Sequence, residues 1–268
     1  MKQVTLGGRG VTAHVEEPAS PNGVDVILIH GAGFDHTAWR FQTRLLAGRG
    51  YRVFAPDLPG HGSSDGPCLD SIEEMARWLG EFADAVGADR PALVGHSMGS
   101  YVALRRATVA PDSVRAVVLV GTSHRMRVHP ELLDAAARRD HHAIDLMVGW
   151  MHTGNHRYGG HRNAGSWTAG TSRRTLERNL AALGQDLAAC DAFEPASATA
   201  ANDCPTLIVS GNADKMTQAR AAGRLADLID ADEHVVLDGA GHMALFERAE
   251  DVNAALLRFL SRVTAAER

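Results

Sequence analysis

No stretch of 18 or more apolar residues occurs in the 268-residue chain, so no segment of it is long enough to span a bilayer as a helix. The opening residues, MKQVTLGGRG, hold no continuous apolar run, and no secretory signal is read there. Cysteine is scarce. Cys68, Cys190 and Cys204 are odd in number and in no metal-ligand spacing, so the expectation is reduced thiols in a cytoplasmic protein. Lysine is scarcer still, at Lys2 and Lys215 only, and the arginine that replaces it gathers at no candidate site. Long runs of one charge are absent too: 27 basic residues stand against 32 acidic ones, for a net charge of −5. That balance offers no electrostatic footprint for nucleic acid or an anionic membrane, so a small-molecule partner is expected instead. Neither a G-x-G-x-x-G nor a Walker P-loop is present, which leaves nucleotide cofactors without a cradle.

What is there reads as a globular α/β chain. Hydrophobic residues make up 45% and charged residues 22%, and the length suits one large domain with room for an insertion. Apolar runs at 24–30, 51–57, 91–96, 115–120, 206–211 and 234–239 do not alternate with polar residues, as expected of strands buried on both faces. Residues 11–16 alternate more and are read as an antiparallel edge strand. Helical patterns at 37–47, 71–86, 98–109, 217–229 and 251–263 lie between or after the strands. The second of these opens on Ser71 with Glu74 three residues on, and stacks Ile72, Met75, Leu79, Phe82 and Val86 on one face. The stretch 122–202 breaks the rhythm. It holds helix-like pieces at 131–139, 144–150 and 173–189 and a Gly/His-rich loop near 153–170, and it is too long for a plain connection. Its apolar stripes, among them Leu146, Met147, Trp150, Leu176, Leu183 and Leu187, need burial, so a small helical insertion is expected.

The strongest chemical signal is Gly95-His96-Ser97-Met98-Gly99, directly after a strand and directly before a helix. This is the context in which a G-x-S-x-G turn lifts a serine hydroxyl above the carboxyl end of a sheet. A serine needs a base to take its proton, and the base needs an acid to fix its tautomer. His242, in Gly239-Ala240-Gly241-His242, and Asp214, three residues past the strand at 206–211, are the candidates, with Asp238 as a fallback acid. The chain order Ser97, Asp214, His242 is the one expected when each residue sits on a loop at a strand's carboxyl end. After the strand at 24–30, His30-Gly31-Ala32-Gly33-Phe34 could aim backbone N–H groups at a reacting oxygen. The Ala32 and Met98 N–H groups are the expected oxyanion donors, with Gly33 as alternate. His152 and His156 are four apart, but the Thr-Gly-Asn between them makes a helix doubtful, and no metal site is expected.

With these residues in place, the chain resembles the α/β-hydrolase-fold enzymes that carry a cap domain. The resemblance rests on His30-Gly31, the Asp57-Leu58-Pro59-Gly60-His61-Gly62-Ser63-Ser64 run, the Ser97 turn, Asp214 and Gly241-His242, and spans residues 30 to 242. It implies a mostly parallel eight-stranded sheet flanked by helices, a core of 1–121 and 203–268, and a helical cap at 122–202. It also implies that residues 57–64 brace the oxyanion loop, and that aspartate-nucleophile dehalogenases and epoxide hydrolases are disfavoured. The expected activity is cofactor-independent hydrolysis of a small or medium carboxylic ester through an acyl-enzyme on Ser97. Lactone, thioester and C–C bond hydrolysis and perhydrolysis stay open with the same three residues, as does a slow-turnover small-molecule receptor. The expected pocket draws on His30, Phe34, Arg125, Met147, Trp150, Trp167 and Met243, and either Arg125 or Arg127, both shortly after the strand at 115–120, is a candidate for a substrate carboxylate. Oligomeric state is not legible.

Overall fold

The computed structural model describes residues 1–154, 168–195 and 204–266. Eight strands form one sheet: β1 (Lys2–Leu6), β2 (Arg9–Glu16), β3 (Asp25–Ile29), β4 (Arg52–Pro56), β5 (Ala92–His96), β6 (Ala116–Val120), β7 (Thr206–Gly211) and β8 (Glu233–Leu237). Their spatial order is β1-β2-β4-β3-β5-β6-β7-β8; β1 and β2 are antiparallel to their neighbours and the rest are parallel. Strands β5, β6 and β7 are buried along their whole length, which their unbroken apolar runs require.

Two expectations about the sheet margins need correction. The strand at 11–16 is antiparallel but not at the edge, because β1 pairs with it through a tight turn at Gly7 and Gly8, both at positive φ. The sequence of β1, KQVTL, is largely exposed and carries too little apolar pattern to announce a strand; the Gly-Gly pair was its signal. At the other margin β8 is the second edge, and Val236 is half exposed, so that strand is not buried on both faces.

The helices follow their local chemistry. After a 3-10 turn at His36–Trp39 comes α1 (Thr43–Ala47), so the helix expected over 37–47 is two short pieces. Helix α2 (Ile72–Val86) starts where Ser71 Oγ accepts the Glu74 N–H at 3.2 Å and stops at Gly87, φ 66°. All five residues of its expected face are buried. Helix α3 (Met98–Val109) packs on β5 and β6, with α2 against it.

Between β6 and β7 lie α4 (Pro130–Ala137), α5 (His141–Met151), α6 (Thr168–Arg178) and α7 (Leu180–Ala192). The loop expected near 153–170 gives way to helix at Thr168, and its residues 155–167 lie outside the described ones. The single helix expected over 173–189 is divided at Asn179, although no proline or glycine stands there. Its cause is tertiary and lies in the bonds that Asn179 makes elsewhere. The chain closes with α8 (Ala219–Ile229), α9 (Ala244–Glu247) and α10 (Ala249–Ala266), the last packed on β6 and β7. No described helix is long and apolar enough to cross a membrane.

The strand order determines where chemistry is possible. From β3 the chain crosses to β4 on one side, then returns to place β5 on the other, so β3–β5 is the switch point of the sheet. Crevices at the carboxyl ends of strands form at such points. Ile29 stands level with Gly95, and therefore the loops leaving β3 and β5 emerge side by side.

Candidate active site

Ser97 is at φ 52°, ψ −119°, a region that a residue with a Cβ enters only when its surroundings force it. The two flanking glycines are the reason the turn can close. A Cβ on Gly99 would land on the carbonyl oxygens of Ile29 and His30, and one on Gly95 would land on the Gly99 carbonyl. Ser97 N–H donates to Val120 O at 2.9 Å, which ties the turn to the neighbouring strand.

Asp214 and His242 converge from the loops after β7 and β8. His242 Nδ1–H donates to Asp214 Oδ2 at 2.9 Å, and both side chains are almost fully buried. The remaining valences of the carboxylate are filled locally: Oδ1 accepts the N–H groups of Met216 and Thr217, and Oδ2 accepts the Thr217 hydroxyl at 2.7 Å. Burial works against charge on Asp214, but the adjacent His242 ring and these hydrogen bonds outweigh it and hold its pKa below the ordinary carboxylate value. Asp238 is not brought to His242; it accepts from Asn212 Nδ2 on the surface. His96 backs the histidine loop, its Nε2–H donating to His242 O at 3.0 Å. Complete burial pushes the His96 pKa down to about 3, so the ring is a neutral support.

The loop after β3 is fixed from several sides. His30 Nδ1–H donates to Gly31 O, and Nε2 accepts the Leu58 N–H at 3.1 Å. These partners demand the neutral ring, and burial, with the nearby His61, lowers its pKa to about 4. His30 is thus a strut between loops and not a cavity residue, contrary to expectation. Gly33 is set aside as an oxyanion donor, because its N–H already donates to Asp186 Oδ2 at 2.8 Å. The Ala32 N–H remains as the candidate from this loop, opposite Met98 at the start of α3. In the 57–64 run, Asp57 Oδ1 accepts from His36 N–H and Nδ1–H while Oδ2 accepts the Ser63 N–H.

Gly31, Ala32, Phe34, His96, Ser97 and His242 form one wall of a cavity of about 380 Å³. The segment between β6 and β7 supplies most of the rest, mainly apolar: Met126, Val128 and His129 from the stretch before α4, and Leu132, Met147, Trp150, Met151, Leu187 and Cys190 from the helices. Phe34, Met147 and Trp150 line this cavity, and Trp167 lies outside the described residues. Arg125 does not line the cavity; its guanidinium donates to Glu194 at 2.6 Å, and Arg127 takes the lining position. Met243 is also absent from the lining, being buried at the start of α9 with its N–H on Met151 O. Lys215, Met216 and Thr217 complete the rim; the sequence offered no signal for them beyond their adjacency to Asp214.

Two buried clusters escape a reading of the sequence. Glu247 Oε2 accepts the Gly241 N–H at 2.6 Å, and its Oε1 accepts from His152 Nδ1–H and Thr153 N–H, so α5 is joined to the loop carrying His242. Asn179, between α6 and α7, and Asp186, in α7, reach the Gly33 loop. Their signal was polar residues at helical spacing within the Leu176–Leu183–Leu187 stripe. His152 is engaged with Glu247 and Ser172, and its metal partner considered in sequence, His156, lies outside the described residues. Asp35, His36 and Asp57 offer ligand atoms within 4.8 Å of one another. Their carboxylate oxygens already accept from Thr37, Arg178, His36 and Ser63, and Arg178 supplies the compensating charge, so the donor set is spent on the protein itself.

The sequence profile described as the alpha/beta hydrolase family matches residues 26–255. A 2-hydroxy-6-oxo-6-(2'-aminophenyl)hexa-2,4-dienoic acid hydrolase of Metapseudomonas resinovorans is 28% identical, the match covering 97% of this chain and 96% of that one. Among solved structures, a thermophilic esterase is 30% identical with a TM-score of 0.80, covering 98% of this chain and 97% of its own. The enol-lactonase of Burkholderia xenovorans LB400 superposes with a TM-score of 0.87 over 97% of this chain and 100% of its own; at 22% identity that likeness speaks to the fold alone. With the strand order, the turn at Ser97 and the 26–255 match in agreement, the chain belongs to the alpha/beta hydrolase family and is a hydrolase.

Proposed function

We propose that the protein is a serine hydrolase acting on a small or medium carboxylic ester, with Ser97, His242 and Asp214 as its catalytic residues and the helices at 122–202 as a cap over the substrate. One observation carries the reading: His242, hydrogen-bonded to the buried Asp214 at 2.9 Å, lines one largely apolar cavity together with Ser97. Ser97 Oγ attacks the ester carbonyl carbon and its proton passes to His242 Nε2. The oxyanion takes hydrogen bonds from the Ala32 and Met98 N–H groups. Collapse breaks the bond to the leaving oxygen, which receives the proton from His242 and departs as alcohol. Water then attacks the acyl carbon, gives its proton to His242, and Ser97 leaves with that proton restored. Asp214 stays ionised throughout, orienting Nδ1–H and stabilising the imidazolium. The three free cysteines support a cytoplasmic setting.

A second reading, cleavage of a C–C bond next to a carbonyl, draws on the near full-length relative named as a dienoic acid hydrolase. Hydrolysis of p-nitrophenyl esters of increasing acyl length, set beside a vinylogous 1,5-diketone acid, separates the two. Turnover that vanishes in Ser97→Ala and peaks at short or medium acyl chains is expected. Turnover of the diketone with inert esters would replace the ester reading. Stoichiometric acylation without turnover would replace it with a receptor.

A further inference from the structure

The oxyanion loop is usually thought of as a property of the sheet core, yet here its geometry is held by side chains from the helices laid over it. The peptide between Gly31 and Ala32 carries the Ala32 N–H at one end and Gly31 O at the other, and Gly31 O accepts from His30 Nδ1–H at 3.0 Å and Phe34 N–H at 3.1 Å. The next peptide is held by Asp186 of α7, whose Oδ2 accepts the Gly33 N–H at 2.8 Å. The one after is held by Asn179, whose Nδ2–H groups reach Gly33 O at 3.3 Å and Phe34 O at 3.2 Å. Gly33 itself is at φ 68°, wedged against Leu176 and Leu183 of the same two helices. Asp186 and Asn179 also hold the loop after β4: His61 Nε2–H donates to Asp186 Oδ2 at 2.8 Å, and Gly62 N–H donates to Asn179 Oδ1 at 2.9 Å. Both His61 nitrogens face acceptors, since Nδ1 lies 3.1 Å from Pro59 O, an arrangement that favours the protonated ring. Burial opposes that charge and Asp186 more than restores it, leaving the His61 pKa raised. A buried carboxylate beside this cation is rigidly placed, because displacing either partner leaves an unpaired charge in the interior.

The geometry points to Asp186 and Asn179 as positioning residues for oxyanion stabilisation: they fix the Gly33 peptides so that the Ala32 N–H is aimed before substrate arrives. The helical layer then does more than roof the substrate, because the side chain at the break between α6 and α7 is bonded to the loop itself. This inference rests on the serine hydrolase reading, because only a tetrahedral oxyanion needs the Ala32 N–H so placed.

The experiment measures kcat and KM on p-nitrophenyl butyrate, together with the rate at which a fluorophosphonate labels Ser97, in Asp186→Ala, Asp186→Asn and Asn179→Ala. Thermal unfolding is followed in parallel, so every rate is expressed per folded molecule. Displacing a catalytic group by about 1 Å costs on the order of a hundredfold. Asp186→Ala is therefore expected to lower kcat and the labelling rate by roughly tenfold to a hundredfold with KM little changed. Asp186→Asn keeps an oxygen for the Gly33 N–H but removes the counter-charge of His61, and is expected to recover only part of the loss. Asn179→Ala spares the ion pair and is expected to show the same split more weakly; it decides the matter if Asp186→Ala does not fold. Wild-type kcat and labelling rate per folded molecule in Asn179→Ala and any folded Asp186 variant would overturn the proposal, as would an Asn variant no better than Ala. Failure of the parent reading looks different, since wild-type Ser97 would then neither turn over ester nor take the label.

Discussion

The turn at Ser97 and the helices between β6 and β7 contribute to the same cavity by different means. At the turn, position is dictated by backbone sterics: Gly95 and Gly99 leave no room for a Cβ, and Ser97 is held at φ 52° between them. In the helices, position is dictated by side chains that cross to other segments, such as Asp186 to Gly33 and His152 to Glu247. The first kind of constraint is written in adjacent residues. The second exists only when residues more than ninety positions apart meet. Local constraint yields a motif, and distributed constraint yields a surface whose meaning depends on its partners.

The contrast is tested most severely at Ser97 itself. Loss of the hydroxyl in Ser97→Gly is expected to lower kcat by about a millionfold, as when a triad nucleophile is removed. The same substitution relieves the positive φ and should raise stability by roughly 1 kcal/mol in urea denaturation. A Gly variant no more stable than Ala would mean the turn is unstrained and the sterics have been misread. Asp214→Asn comes next. It is expected to cost about ten thousandfold in kcat at neutral pH, because the amide favours the wrong histidine tautomer. The folded state holds the Asp214 pKa below its unfolded value, so its contribution to stability is full above about pH 4 and lost as pH falls through the folded value. Chemical denaturation below pH 4 should accordingly be less pH-dependent in the Asn variant. A kcat near wild type would strip Asp214 of its role.

Of the predicted elements, the parallel strands and α2 were legible because each is a local pattern: an unbroken apolar run, or a cap followed by a stripe. The break at Asn179 was not, since nothing within the helix ends it; the amide is drawn out of register by the Gly33 and Phe34 carbonyls. Arg125 and Arg127 both follow β6 closely, and proximity in sequence does not separate them; Glu194 holds Arg125 while Arg127 stands at the lining. His30 stands next to Gly31 and Ala32 in sequence, which points to the pocket. The Leu58 N–H, from another loop, turns it inward.

Two smaller effects sharpen the comparison further. His30 and His96 are held neutral by burial, with pKa values near 4 and 3 against 6.5 for the free side chain. The unfolded chain then binds more protons between pH 6.5 and about 4, and stability must fall as pH drops through that window. Urea denaturation of wild type and His96→Asn from pH 7 to 4.5 checks this; equal slopes would mean His96 is not buried neutral. On the helical side, Trp150→Ala is expected to move the acyl-length optimum to longer esters while changing the best kcat/KM by less than about tenfold, because it enlarges the cavity without touching the reacting groups. An unchanged optimum would take Trp150 out of the acyl site.

By itself the sequence determined the alternation of strands and helices, the serine turn and the chain order of Ser97, Asp214 and His242. Those features depend on periodicity and on glycine at fixed spacing, which neighbouring residues suffice to enforce. Only the tertiary structure decided that His242 meets Asp214 rather than Asp238, that Gly33 is already bonded, and which side chains close the cavity. Each of these is a choice between partners far apart in the chain, and a buried donor or acceptor takes the partner that the strand order and helix packing bring within hydrogen-bonding distance.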